Sequence, residues 1–191
     1  DGFLGISLFY YYLFLYKKDE SYLIKSIEIL ESVFEKLNSE CEYNSNDIIE
    51  LTKYLYFLYS QKIIDIDDVK NSLEQLDIFL ITILNNKLEE NDLDSINGLI
   101  SLGYLFLDLS EIDSKYLTSL TKVFKIIDNL KQSKNNDNEY FWFFNMRDKV
   151  KPIIEFGYFH GTSGIINFLN CLCEKKIESE KCKNIISKAI L

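Results

Sequence analysis

The chain's one histidine, His160, stands between glycines in Gly157-Tyr158-Phe159-His160-Gly161-Thr162-Ser163-Gly164-Ile165, at the mouth of a long apolar run. Imidazole exchanges a proton near neutrality, so an uncrowded ring there suits a general acid or base. Glycines on either side would let the backbone turn tightly around it. Read structurally instead, His160 is a helix-start residue that makes a hydrogen bond, with glycines present for close helix packing. Asp94 is the second candidate, because Asp94-Ser95 precedes another apolar run. Its carboxylate could orient or charge-stabilise the imidazole, or it could cap a helix by accepting free N–H groups. Glu155 is the one acid that could pair with Asp94 in a carbohydrate-cleaving site, which needs two carboxylates and aromatics for sugar stacking.

Four cysteines, Cys41, Cys171, Cys173 and Cys182, are the thiols of the chain. A local zinc site from the last three is conceivable. Free thiols are also among the most buried of side chains, and core positions in an inner helix and its partner account for them well. Their number fits a reduced, cytoplasmic protein better than a disulfide scaffold. Residues two apart on a helix point to different sides, so Cys171 and Cys173 are not placed to bridge.

Helices must position these groups. In 191 residues there is one proline, Pro152, and hydrophobic residues make up 47%. Such a chain buries roughly 70% of its unfolded surface, so an all-α single domain is expected. A net charge of -9 repels a phosphate backbone, which argues against nucleic acid as a partner. The uncharged run Gly2–Tyr16 is shorter than the ~20 residues of a membrane span and predicts a buried helix.

Four times a nearly uncharged helical segment is followed by a polar turn and an amphipathic helix. The apolar members are predicted near Gly5–Tyr16, Ile48–Tyr59, Ile96–Leu109 and Thr162–Cys173, and their partners begin near Ser21, Asp67, Ser114 and Ser179. Stripes such as Leu23, Ile27, Leu30, Phe34 and Leu37, or Tyr116, Leu120, Val123, Ile127 and Leu130, recur at helical spacing and mark an outer layer. A shift of 94 residues superposes Ile6-Ser7-Leu8 on Ile100-Ser101-Leu102 and Tyr22-Leu23 on Tyr116-Leu117; a shift of 159 places Gly2-x-x-Gly5-Ile6 on Gly161-x-x-Gly164-Ile165. Repeated hairpins with strongly apolar inner helices favour a closed α/α toroid over an open solenoid. Tyr140-Phe141-Trp142-Phe143-Phe144 is too aromatic for an exposed linker and reads as a plug between two hairpins, or as a peptide-binding lip with Arg147 nearby.

With these motifs in order, the chain resembles the lanthionine synthetase C-like family, the cyclases of lanthipeptide biosynthesis and their relatives. The opening Gly2-x-x-Gly5-Ile6 hairpin, the Asp94-Ser95-Ile96-Asn97-Gly98-Leu99 segment and the His160-Gly161-x-x-Gly164-Ile165 segment carry the likeness. Ser101 replaces a glycine and Phe159 an alanine of the family pattern. The resemblance implies a toroid of seven hairpins, of which about four are present, around a zinc held by two cysteines and a histidine. It implies a precursor peptide as substrate, whose cysteine thiolate adds to a dehydroalanine or dehydrobutyrine. By motif position it assigns His160 as a non-ligand histidine of the site and Asp94 as its companion. The zinc-ligand motifs of the family do not occur at matching positions. An incomplete toroid would associate with another copy or with the remainder of the ring. A non-catalytic helical-repeat module that keeps the fold without zinc is the alternative.

Overall fold

The computed structural model of the chain describes residues 2–38, 44–135, 138–144 and 152–189; Asp1, Cys41, Arg147, Ile190 and Leu191, and the side chain of Leu37, lie outside the described residues. Eight helices and one two-stranded hairpin make up this part: α1 (Gly2–Lys17), α2 (Glu20–Asn38), α3 (Ser45–Ser60), α4 (Ile66–Glu90), α5 (Leu99–Leu109), α6 (Tyr116–Leu130), β1 (Gln132–Lys134), β2 (Glu139–Phe141), α7 (Thr162–Glu174) and α8 (Ser179–Lys188). All four predicted helical pairs are therefore present, and the fold is α-helical hairpins. The chain divides within α4 into two compact units, Asp1–Leu80 and Ile81–Leu191. No helix of the described residues is long and apolar enough to cross a membrane.

In the first unit, α1 packs against α2 and α3. Ser7 on α1 is fully buried; its hydroxyl lies 2.7 Å from the Tyr54 hydroxyl of α3 and donates to the Ser26 carbonyl of α2 at 2.7 Å, while the Ser26 hydroxyl donates back to the Ser7 carbonyl at 2.8 Å. Buried hydroxyls that are fully paired in this way cost little and fix helix register. The expectation that α1 is a buried helix fails. Only Ser7 and Tyr11 are buried, and Phe3, Ile6, Phe9, Tyr12 and Tyr16 are exposed, because two neighbours cannot cover a helix that is apolar all round. The α2 stripe is correspondingly only half covered, with Ile27 exposed.

In the second unit, α5 is buried on nearly every side, through Leu99, Ile100, Leu102, Gly103, Leu105, Phe106, Leu107 and Leu109. Its partner α6 buries the stripe Tyr116, Leu120, Val123 and Ile127. The inner pair α5 and α7 meets at Gly103, where a methyl group would come within 2.6 Å of the Phe168 ring. That ring cannot yield easily, since Phe168 is wholly buried and edge-packed on Tyr104 at 5.3 Å.

The aromatic run departs from an all-helical plan. β1 and β2 pair antiparallel, with Gln132 opposite Phe141 and Lys134 opposite Glu139. Alternate residues Tyr140, Trp142 and Phe144 are buried, while Phe143 is exposed. The Trp142 indole donates to the Ile127 carbonyl of α6 at 2.9 Å, and Tyr140 bridges to Ala189 after α8. The run is therefore a structural plug between two outer helices.

Helix ends are closed without glycine. Lys18, Lys62, Asn91 and Lys176 follow α1, α3, α4 and α7 with positive φ, and no glycine of the chain has positive φ. After α3 and α7 the amides of Ile63 and Ile177 reach back to the carbonyls of Leu58 and Leu172, both at 2.9 Å.

Glycine-to-alanine changes should act oppositely in the two units. Gly103→Ala is expected to cost about 1–3 kcal/mol through the Phe168 clash. Gly5→Ala, with nothing within 4 Å of the added methyl, should gain about 0.5–1 kcal/mol of helix stability. Denaturant unfolding followed by circular dichroism checks both signs.

Candidate functional site

Asp94 belongs to a turn that delays α5. Its Oδ1 accepts the N–H groups of Ile96 and Asn97, both at 2.7 Å, and its carbonyl accepts the Gly98 N–H at 3.2 Å. The helix thus begins at Leu99 with Gly98 as its cap, rather than at Ile96 as the apolar run predicts. Ile96 is 44% exposed, so an apolar residue here stands at the mouth and not in the core.

His160 is carried by the segment before α7. Thr162 donates its amide, at 2.8 Å, and its hydroxyl, at 3.1 Å, to the Glu155 carbonyl; the Ser163 hydroxyl donates to the Phe156 carbonyl at 2.6 Å. Glu155 Oε1 accepts the amides of Phe156 and Gly157 at 3.1 Å each. This carboxylate is committed to shaping its own loop, which weakens its reading as the second acid of a carbohydrate site. Gly161 has extended backbone, φ -153, and neither Gly157 nor Gly161 takes a left-handed conformation.

Close approach is what they provide. The Ser95 amide donates to the Phe159 carbonyl at 2.9 Å, joining the two segments. A methyl at Gly164 would lie 2.2 Å from the Tyr158 carbonyl and 2.3 Å from Ser95 Oγ, so only glycine lets these backbones meet. Across this junction Asp94 Oδ2 and His160 Nδ1 are in hydrogen-bond contact. The structure therefore brings the two predicted residues together. Asp94 serves both readings at once, with Oδ1 as cap and Oδ2 on the imidazole.

Acceptance by Asp94 places the ring proton on Nδ1 and leaves the Nε2 lone pair without a partner among the described residues. The His160 side chain is 47% exposed and that of Asp94 17%, so the carboxylate is screened while the ring reaches solvent. Exposed Tyr158 and Phe159, edge to face at 5.4 Å, directly precede it in the chain. The His160–Asp94 pair can accept a proton at Nε2, hold the resulting imidazolium beside a carboxylate, and return the proton.

Compared with known families, the model of lanthionine synthetase C-like proteins matches residues 1–191. The chain belongs to the lanthionine synthetase C-like family. No curated protein and no solved structure matches it.

Lanthionine synthetase C-like proteins generally bind zinc and act on peptides. The cysteines placed here do not fit that metal. Cys182 is wholly buried, its thiol faces the Ile177 carbonyl at 3.7 Å, and burial pushes it up to about 12. Burial also raises the Cys171 thiol, and the Cys173 thiol faces the Ser179 carbonyl at 3.6 Å. Zinc needs deprotonated thiolates, and burial that favours the protonated thiol makes Cys171 and Cys182 poor ligands. Among the described residues no three His, Cys, Asp or Glu side chains gather as a metal would require.

Asp94→Asn keeps an oxygen for the cap but removes the charge facing His160. It should leave the unfolding midpoint nearly unchanged while shifting the neutral imidazole away from the Nδ1–H tautomer, read from ring nitrogen NMR shifts; Asp94→Ala should in addition cost about 1 kcal/mol. Cys182 should resist iodoacetamide at pH 8 until the protein is unfolded in urea, as mass mapping would show. Because its folded value is raised, the stability it contributes is present below the ordinary thiol range and is lost as pH climbs toward about 12.

Proposed function

We propose that the His160–Asp94 pair is the proton-transfer element of thioether formation on a peptide, in which a cysteine thiol adds across the double bond of a dehydroalanine or dehydrobutyrine. His160 Nε2 takes the thiol proton, and the sulfur lone pair forms the C–S bond at the β-carbon. The π electrons move onto the neighbouring carbonyl as an enolate, and the imidazolium returns the proton to the α-carbon. Atoms balance with no oxidant or reductant. Asp94 stabilises the imidazolium between the two transfers, in a setting where its partial burial strengthens the attraction. The observation that carries this reading is the contact of the carboxylate with Nδ1, which leaves Nε2 as the working nitrogen.

A second reading, a peptide-binding helical module without turnover, draws support from thiols that are packed as core rather than presented as ligands. One assay separates the two. Protein made from its whole natural reading frame is incubated with a peptide bearing one cysteine and one dehydroalanine, and thioether formation is followed by mass spectrometry as loss of alkylatable thiol. His160→Ala is expected to slow the reaction by at least about 100-fold. Equal rates for variant and wild type would sink the proton-transfer role, and a wild type that binds peptide without converting it would leave the binding module.

A further inference from the structure

A second polar group adjoins the His160 turn and takes no part in the chemistry above. Asn167, in the second turn of α7, donates through Nδ2 to the Tyr104 hydroxyl of α5 at 2.5 Å and to the Tyr158 hydroxyl at 3.2 Å. Tyr158 lies two residues before His160 and is 48% exposed. Tyr104 is half-buried, and burial raises its phenol above the ordinary value.

Counting donors and acceptors shows what this cluster still offers. Both Nδ2 protons of Asn167 are used, and each phenol oxygen that accepts one of them keeps its own proton. The Tyr158 O–H proton and the Asn167 Oδ1 lone pairs are left over, with no partner among the described residues. Ser95 Oγ is the only buried side-chain oxygen or nitrogen without a partner among those residues, so Asn167 Oδ1, on a half-buried residue, is not sealed from solvent. One free acceptor beside one free donor is the complement of a main-chain amide. Residues 152–164 contain no Lys or Arg, so the segment is not built to hold a carboxylate or phosphate. Exposed Phe159, packed edge-on against Tyr158 at 5.4 Å, supplies an apolar wall, the usual setting in which a few polar groups fix a ligand's orientation.

We propose that Asn167 and Tyr158 form a subsite for one main-chain amide of an extended peptide lying beside His160. Asn167 Oδ1 accepts the peptide N–H, the Tyr158 hydroxyl donates to the peptide carbonyl, and Tyr104 is a positioning residue that holds Asn167. The proposal rests on the reading that this site takes a peptide, and it identifies the groups that set the peptide's register relative to the imidazole.

The test uses the chain's single histidine as reporter, since its Hε1 proton gives one NMR signal. The probe is a hexapeptide of alanines around one dehydroalanine, together with analogues N-methylated at each amide in turn. In wild type, methylation at one position is expected to weaken binding about fivefold. Asn167→Leu should lose the same factor for the unmodified peptide and no longer discriminate that analogue, as the double-mutant logic requires. Tyr158→Phe, a change of one exposed oxygen that spares the fold, should also lose about fivefold. If both variants bind every peptide as wild type does, the subsite is overturned while the peptide reading stands. If no peptide moves the His160 signal, both fall together.

Discussion

The amide of Ser95 donating to the carbonyl of Phe159 joins two chain segments that are 64 residues apart, and the candidate chemistry depends on that junction. Neither segment belongs to a helix, so neither is aimed by helical geometry alone. Each is first shaped locally, the one by Asp94 accepting two amides, the other by Thr162 and Ser163 holding the Glu155 and Phe156 carbonyls. The bond between them then converts two local shapes into one pair of facing side chains. Gly164 makes this possible by presenting no atom where the Tyr158 carbonyl and Ser95 hydroxyl pass. The unpartnered Ser95 hydroxyl is a local cost of that proximity, since a buried hydroxyl with no partner is unfavourable.

Much of this was legible in the sequence because the signals were redundant. Helical spacing, a single proline and repeated segments all pointed to paired helices, and Val69, Leu73, Leu76, Leu80 and Ile83 of α4 are buried as their spacing requires. Asp94 and His160 were visible because each precedes an apolar run in a motif with glycines. The start of α5 was not visible, because Ile96 is apolar yet lies in a turn whose existence depends on where one carboxylate oxygen points. The β-hairpin was hidden for a different reason. When five consecutive residues are all aromatic, inward and outward positions look alike, and the period of two that marks a strand cannot be read. Asn167 carried no motif at all, being one polar residue inside an apolar helix.

Glycine is used here in an unusual division of labour. Left-handed positions at helix ends, where glycine costs nothing, are held instead by lysine and asparagine. At Gly98, Gly103, Gly161 and Gly164 a methyl would fall within 3 Å of another atom. These four glycines therefore mark contacts rather than bends, and Gly161 and Gly164 after His160 are informative for that reason.

The buried hydroxyls of Ser7, Ser26 and Tyr54 have a consequence of the same kind for α1. A helix with no charge from Gly2 to Tyr16 has no oily side and wet side, so burial alone cannot decide which way it should be rotated about its axis. Many azimuths would hide similar amounts of hydrocarbon. Only one brings Ser7 against Ser26 and Tyr54, and every other would strand a hydroxyl in the interior. A single serine thus supplies the orientational information that the other fourteen residues of the run lack.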